Sequence, residues 1–273
     1  MAGEAPVMLP GGRDPVGCAV GWLYLQSYCH VAVWPVSASP LPSAGLYVQT
    51  LHYAMKSGES QAEKRLGACR RRFVWRKPFL GRLNDAPVKK HKKDVGERTS
   101  IRLFFPESAL PNPLENNDNE TLMVFVPFKP ADFIWLREVL LKTRNKTKVG
   151  FWRQPPGEWN GNVSYLRILN PYVIYEATYK LLKLNIWSMR YATTGIIALN
   201  LALHVCQEVN IAGFGYPGNH DNATPIHYYN TGRPLRKQLF QHNITAERKW
   251  LLKMIQQGAI ADIGKPSSRA QDR

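Results

Sequence analysis

The chain reads as an α/β domain, a layered sheet flanked by helices, on three observations. Apolar, strand-sized runs alternate with longer amphipathic stretches from Leu122 onward, a pattern that favours helices packed on a sheet. The stretch 191–216, YATTGIIALNLALHVCQEVNIAGFGY, joins a helix-like segment to a strand-like one and ends in a glycine turn. The 273 residues suffice for one large domain with a sizeable core, or for two small ones.

Taken in order, residues 1–68 are rich in Pro, Gly and Ser and carry no charge between Asp14 and Lys56. Residues 16–36 are moderately apolar but interrupted by Gln26, Ser27, His30 and Pro35. A spanning helix needs about 20 mainly apolar residues, so this segment is either a short membrane anchor or an irregular, disordered extension. Residues 69–264 carry the folded domain, and 265–273 form a polar tail. LMVFVPF at 122–128 reads as a strand. Residues 130–142 follow as a helix with Phe133, Trp135, Leu136 and Leu140 on its apolar face and Pro130 in its first turn, where proline is tolerated. Residues 150–156 are loop and 165–169 a short strand. A helix over 172–184 has a Tyr/Ile/Leu face.

The next helix starts at a threonine cap, Thr193 or Thr194, whose hydroxyl can accept a first-turn amide. Ile196, Ile197, Leu199, Leu201, Leu203 and Val205 leave it apolar nearly all round, the mark of a buried helix. Residues 207–212 form a strand, and Gly213-Phe214-Gly215 a turn at its carboxyl end. Ligands of open α/β sheets sit at that edge, and a helix N-terminus there offers amides to a phosphate; the pattern equally fits an ordinary core helix and strand. Residues 217–224 are a polar loop suited to a lid. The last helix spans 246–257, with Thr245 as its cap, Glu247 in its first turn and Gly258 at its end. It turns Trp250, Leu251, Met254 and Ile255 inward and holds His242 just ahead of its start.

Lys and Arg outnumber Asp and Glu by 36 to 20, a formal charge of +16. Much of the excess lies in RLGACRRRFVWRKPFLGR and PVKKHKKDVGER, which suit a solvated basic surface or, with Phe73 and Trp75 interleaved, a nucleic-acid partner. No zinc-finger or RNA-binding spacing accompanies them, so no nucleic acid is expected. Four cysteines, Cys18, Cys29, Cys69 and Cys206, are too few and scattered for a disulfide scaffold or a zinc site. Five Asn-x-Ser/Thr sequons, at Asn119, Asn145, Asn162, Asn222 and Asn243, lean toward a secretory lumen.

Three ordered stretches carry a family resemblance. TTGIIALNLALHVCQEVNIAGFGY resembles the S sialylmotif of the animal sialyltransferases, glycosyltransferase family 29. Ile226-His227-Tyr228-Tyr229 is similar to their His-Tyr-Tyr motif, and His242-Asn243 with Glu247 to their very small motif. RLFFPESA, GFWRQPP, RILNP and AGFGYPG resemble the β-galactoside α2,3 branch, types 4 and 6. The likeness covers roughly residues 82–264.

The resemblance implies a GT-A variant of the Rossmann-like nucleotide-binding sheet and transfer of sialic acid from CMP-sialic acid to the 3-hydroxyl of terminal galactose on glycoproteins or glycolipids. His242 is then the base, suited by an ordinary pKa near working pH, and the anomeric carbon inverts. His227 and Tyr191 then belong near the donor phosphate, and Tyr228 in the donor-binding site. Thr193, Thr194 and Gly195 present hydroxyls and amides, Gly213, Phe214 and Gly215 allow close backbone approach, and Asn84 contacts the donor. No metal or other cofactor is implied. A type II Golgi membrane protein with a lumenal domain is.

The chain departs from the family in one interval. Cys69-Arg70-Arg71 resembles the start of the long sialylmotif, and Arg82–Val88 its later part. Between them RFVWRKPFLG replaces the motif's second cysteine, a Val-Val-Gly-Asn turn and a strand, which leaves the sheet one donor-side strand short. Relatives pair the cysteine at Cys206 with that second one. Arg72 stands there in this chain, so Cys69 is the candidate partner. Ala192 stands where the family usually has proline. Two further readings follow: a truncated or splice-variant homologue without activity, and, on charge alone, a basic nucleic-acid-binding protein.

Overall fold

Near-continuous apolar runs, IRLF at 101–104 and LMVF at 122–125, give the central strands two buried faces, and helices pack on both. The computed structural model describes residues 79–144, 149–214, 227–229 and 240–263, together with the backbone of 22–26 and 34–35. Strands β1 (Trp22–Gln26), β2 (Trp34–Pro35), β3 (Phe79–Leu83), β4 (Ile101–Phe104), β5 (Leu122–Phe125), β6 (Leu166–Ile168), β7 (Glu208–Ala212) and β8 (Ala261–Asp262) form one sheet in the order β2-β6-β5-β4-β3-β1-β7-β8. Strands β3 to β6 pair in parallel, as do β7 and β8. In β5, Leu122 and Val124 enter one hydrophobic cluster while Met123 and Phe125 enter the other, as a side-chain period of two requires.

Helix α1 (Lys92–Val95) is a single turn. Helix α2 (Pro130–Leu140) seals the Phe104/Phe125 side with Trp135, Leu136 and Val139, and Trp135 Nε1 donates to Pro156 O at 2.9 Å, so the indole is buried without losing its hydrogen bond. The opposite face is covered by α4 (Thr194–Val205), whose Ile196, Ile197, Leu199, Leu201 and Val205 are all buried as the apolar wheel requires. Helix α5 (Ile244–Gln256) adds Trp250 and Leu251 to the same cluster. Its cap is Asn243, whose Oδ1 accepts from Ala246 N at 3.0 Å, rather than Thr245. An asparagine caps as well as a threonine, and β-branched Thr245 is tolerated in the first turn, so the helix starts two residues earlier than the sequence suggests.

The helix expected over 172–184 is α3 (Pro171–Tyr175) followed without a break by a π-helical segment, Glu176–Leu181. Glu176 there accepts from Asn200 Nδ2 at 3.1 Å and pairs with His204, both on α4, and these ties accompany the wider turn. Such bulges tend to mark functional sites.

The largest difference from the sequence reading lies in the middle of the sheet. β3 and β7 are not paired; β1 lies between them, antiparallel to both, with Trp22 opposite Arg82 on one side and Ala212 on the other. The position left one strand short is thus occupied by residues from the 1–68 segment. Strand direction matters here: β1 brings its amino end, not a carboxyl-end turn, to the edge where β3 and β7 finish. Among the described residues no helix is long and apolar enough to cross a membrane.

Candidate active site

The carboxyl ends of the parallel strands meet one cleft of about 1120 Å³. Asn84 follows β3, Phe105 follows β4, Gly213 and Phe214 follow β7, and all line it. An α/β sheet places ligands at this edge because the strand ends open into loops while the helices start there. Tyr191, Thr193, Thr194, Gly195, His227, Tyr228 and His242 line the same cleft. Of the expected donor-binding and catalytic residues, only Gly215 is missing from this wall, because it lies outside the described residues, as does the proposed lid.

His242 is held from behind. Its Nδ1 lies 2.9 Å from Tyr191 O, and the Tyr191 ring meets the imidazole edge to face at 4.9 Å. Tyr191 N donates back to Gln241 O at 3.2 Å, so two chain segments distant in sequence are locked together. A carbonyl only accepts, so Nδ1 carries the ring proton and Nε2 keeps its lone pair. Burial holds the His242 pKa below the ordinary histidine value, outweighing the hydrogen bond to Tyr191, which acts in the opposite direction. The neutral, base-competent imidazole is therefore the resting form at neutral pH.

Thr193 is the cap of α4. Its Oγ1 accepts from Ile196 N at 3.4 Å and donates to Glu247 Oε2 at 2.7 Å, while its amide donates to Glu247 Oε1 at 2.9 Å. Buried Glu247, in the first turn of α5, thus fixes the start of α4 next to His242. Burial raises the Glu247 pKa to about 7, against the lowering effect of both bonds from Thr193. Gly195 sits where an added Cβ would come within 3.3 Å of the Phe214 ring, so helix start and strand end are in contact here. Ala192 N donates to Thr178 Oγ1 at 3.1 Å, a bond that proline at this position could not make.

Asn84 adopts a left-handed backbone, φ 54, and its Oδ1 is buried without a hydrogen-bond partner. Two buried arginines shape its loop. Arg82 and Arg102 are register partners on β3 and β4 and therefore share a face. Arg102 donates to Asn84 O (2.7 Å), Ala86 O (3.1 Å), Asn116 O (3.0 Å) and Asn117 Oδ1 (2.6 Å). Arg82 donates to Thr99 Oγ1 and to three carbonyls between Val95 and Arg98. Burial first, and then the neighbouring Arg82 charge, lower the Arg102 pKa to about 10, which still leaves it charged. Tyr228 Oη donates to Pro87 O in the same loop, and His227 stacks on Tyr229 at 4.9 Å.

Sequence reasoning missed these arginines, although the signal was present: a charged residue between apolar neighbours in RLFF or FLGRL must find interior partners. It also missed the wall made by Lys129, whose Nζ pairs with Glu107 at 2.9 Å and Asp132 at 2.7 Å, and by Arg153, which bridges Glu107 O and Asp85. Cys206 is not in the cleft. It caps the far end of α4, about 20 Å along the axis from Thr193. It is disulfide-bonded; its partner, and with it Cys69, lies outside the described residues.

Residues 77–259 match the family model for glycosyltransferase family 29 (sialyltransferase). The chain is 42% identical over 186 residues to the rat CMP-N-acetylneuraminate-beta-galactosamide-alpha-2,3-sialyltransferase 4, covering 67% of this chain and 56% of that protein. The human protein of the same name is 41% identical over the same shares. Rat type 2 lactosamine alpha-2,3-sialyltransferase is 39% identical over 188 residues, with 67% and 56% covered. The chain thus spans a little over half the length of these relatives. A solved mammalian sialyltransferase in complex with Gal-beta-1-3GalNAc-ortho-nitrophenol superposes with a TM-score of 0.54 at 23% identity, covering 69% of this chain and 61% of that one, which shows a shared fold.

Proposed function

The chain belongs to glycosyltransferase family 29, the sialyltransferases, and from that premise we propose that it transfers sialic acid from CMP-sialic acid to the 3-hydroxyl of a terminal galactose. The observation that carries the reading is the orientation of His242. With Nδ1 donating to Tyr191 O, the lone pair on Nε2 is available in the same cleft as the N-terminus of α4. Nε2 takes the proton of the acceptor hydroxyl as its oxygen forms a bond to the anomeric carbon of the donor. The bond from that carbon to the CMP phosphate oxygen breaks on the opposite side, and the configuration inverts. The departing phosphate gains negative charge, which His227 and the first-turn amides of α4, behind Thr193, Thr194 and Gly195, offset. Asn84 Oδ1, buried without a partner, and the close approach allowed at Gly213 fit the nucleotide end. We read the sheet as a GT-A variant in which β1 fills the donor-side position. No metal takes part in this scheme.

A lumenal Golgi setting suits this chemistry, and the Cys206 disulfide supports an oxidising compartment. A second reading, a homologue without activity, rests on β1: an antiparallel strand delivers no carboxyl-end glycine turn to the cleft. Titration calorimetry with CMP separates the two. Saturable binding that is lost in a Tyr191→Phe, His227→Ala double variant supports the transferase; a folded, disulfide-intact protein that takes up no CMP leaves the inactive homologue.

A further inference from the structure

The loop between the π-helical segment and the cap of α4 exposes more apolar surface than any fold requirement explains. Trp187 and Met189 are each 87% exposed and Ile186 60%. Phe240, on the adjacent segment, is 69% exposed and lies under the Arg190 guanidinium at 5.9 Å. The two segments are joined by the Tyr191 N to Gln241 O bond, so these side chains form one surface instead of scattered exposed residues. An apolar patch of this kind on a soluble domain marks an interaction site.

The loop is built to hold that surface out. Asn185 Oδ1 accepts from Trp187 N at 2.8 Å, and Ser188 Oγ donates to Asn185 O at 2.6 Å, closing a 3-10 turn over Ile186–Ser188. Met189 adopts φ 52, a left-handed conformation that a non-glycine side chain takes only at a cost. Lys183, exposed, also sits at a positive φ on the other flank. From Lys180 to Gln207 the chain contains Lys180, Lys183 and Arg190 and not one acidic residue. Tryptophan flanked by aliphatic side chains, with Lys183 and Arg190 a few residues to either side, is a composition that seats in the headgroup layer of a bilayer, where the indole is half apolar and half wet and cations face lipid phosphate.

We propose that the tip Ile186–Met189, with Phe240, docks on a lipid surface as an interfacial contact that does not span it. Met189 and Arg190 also line the cleft, so docking sets the mouth of the cleft against the membrane plane. That geometry would present acceptors whose aglycone is embedded in lipid, and it stands whether or not the chain turns over substrate.

The test uses the full chain and sedimentation with vesicles of phosphatidylcholine, with and without phosphatidylserine. The comparison variant is Ile186→Ser, Trp187→Ser; neither residue lines the cleft, and unchanged thermal melting verifies its fold. The proposal expects the wild type to partition onto both vesicle types, more strongly with phosphatidylserine. It also expects the variant to partition about tenfold or more weakly on each, since Trp and Ile no longer leave water. Vesicles should shift tryptophan emission to the blue in the wild type and not in the variant. Equal binding by both proteins would assign the contact to the general +16 charge and overturn the proposal. So would a wild type that ignores vesicles, or one that loses a concentration-dependent dimer on substitution, which would make the occupant a second copy.

Discussion

His242 and Glu247 lie five positions apart at the start of one helix, yet burial pushes them in opposite useful directions. The imidazole is kept neutral below its ordinary pKa, whereas the carboxyl is raised to about 7. In His242→Asn, the proposed base is lost while the side chain still reaches Tyr191 O, so kcat should fall by about 10²–10⁴ with CMP affinity retained. For the wild type, kcat/KM should hold through neutral pH and fall only on the acid side, at a pH below the usual histidine range. Glu247 makes a stability statement of its own. A carboxyl whose folded pKa lies above its unfolded value contributes stability that is full below about pH 4.5 and is lost as pH rises through about 7. Over that window the wild type should lose on the order of 3 kcal/mol relative to Glu247→Gln, whose amide can still bond Thr193 but does not titrate. Denaturant melts of both proteins from pH 4.5 to 8 check this; parallel curves would mean that the carboxyl ionises normally.

At the scale of elements, the site depends on contacts that tie strand ends to loops. Arg102 alone holds four oxygens of the 84–86 and 116–117 loops. Arg102→Met keeps much of the volume but strands those acceptors, so it should cost about 3 kcal/mol and weaken CMP binding through the misplaced Asn84. Denaturation midpoints and calorimetry measure the two effects, and a variant with native CMP affinity would sever the proposed link between Arg102 and donor binding at the Asn84 loop. Much of this level was legible in advance. Helix α4, its threonine cap, β7, the 130–140 helix and the inward face of α5 all follow from periodicity and capping chemistry, because each is settled by residues within one or two turns. The placement of His242, Tyr191 and Thr193 around one cleft was legible through motif resemblance, not through physics. What the sequence did not disclose is non-local. The π-helical segment accompanies Glu176 reaching across to α4, and the cap at Asn243 prevailed over an equally plausible threonine. The position of β1 depends on a vacancy between two strands whose nearest ends in sequence, Leu83 and Glu208, are more than a hundred residues apart, which no local pattern encodes.

At the scale of the whole molecule, the sheet is continuous only because β1 bridges β3 and β7, and the Cys206 disulfide fastens the far end of the helix that lies over it. Reduction, or Cys206→Ser, should remove about 2–4 kcal/mol and lower Tm by roughly 5–15 °C, with no further effect of reductant on the variant. Calorimetric scans with and without reductant test that directly. The central question is whether a cleft assembled around an antiparallel strand performs the chemistry proposed for it. The decisive measurement is transfer itself: the oxidised chain incubated with CMP-sialic acid and lactose, with the product linkage read by NMR. The account predicts a sialyl group on O3 of galactose, formed by the wild type and reduced to a trace in His242→Asn. A protein that binds CMP and is folded but yields no sialylated product, or one whose product forms equally without His242, would contradict it.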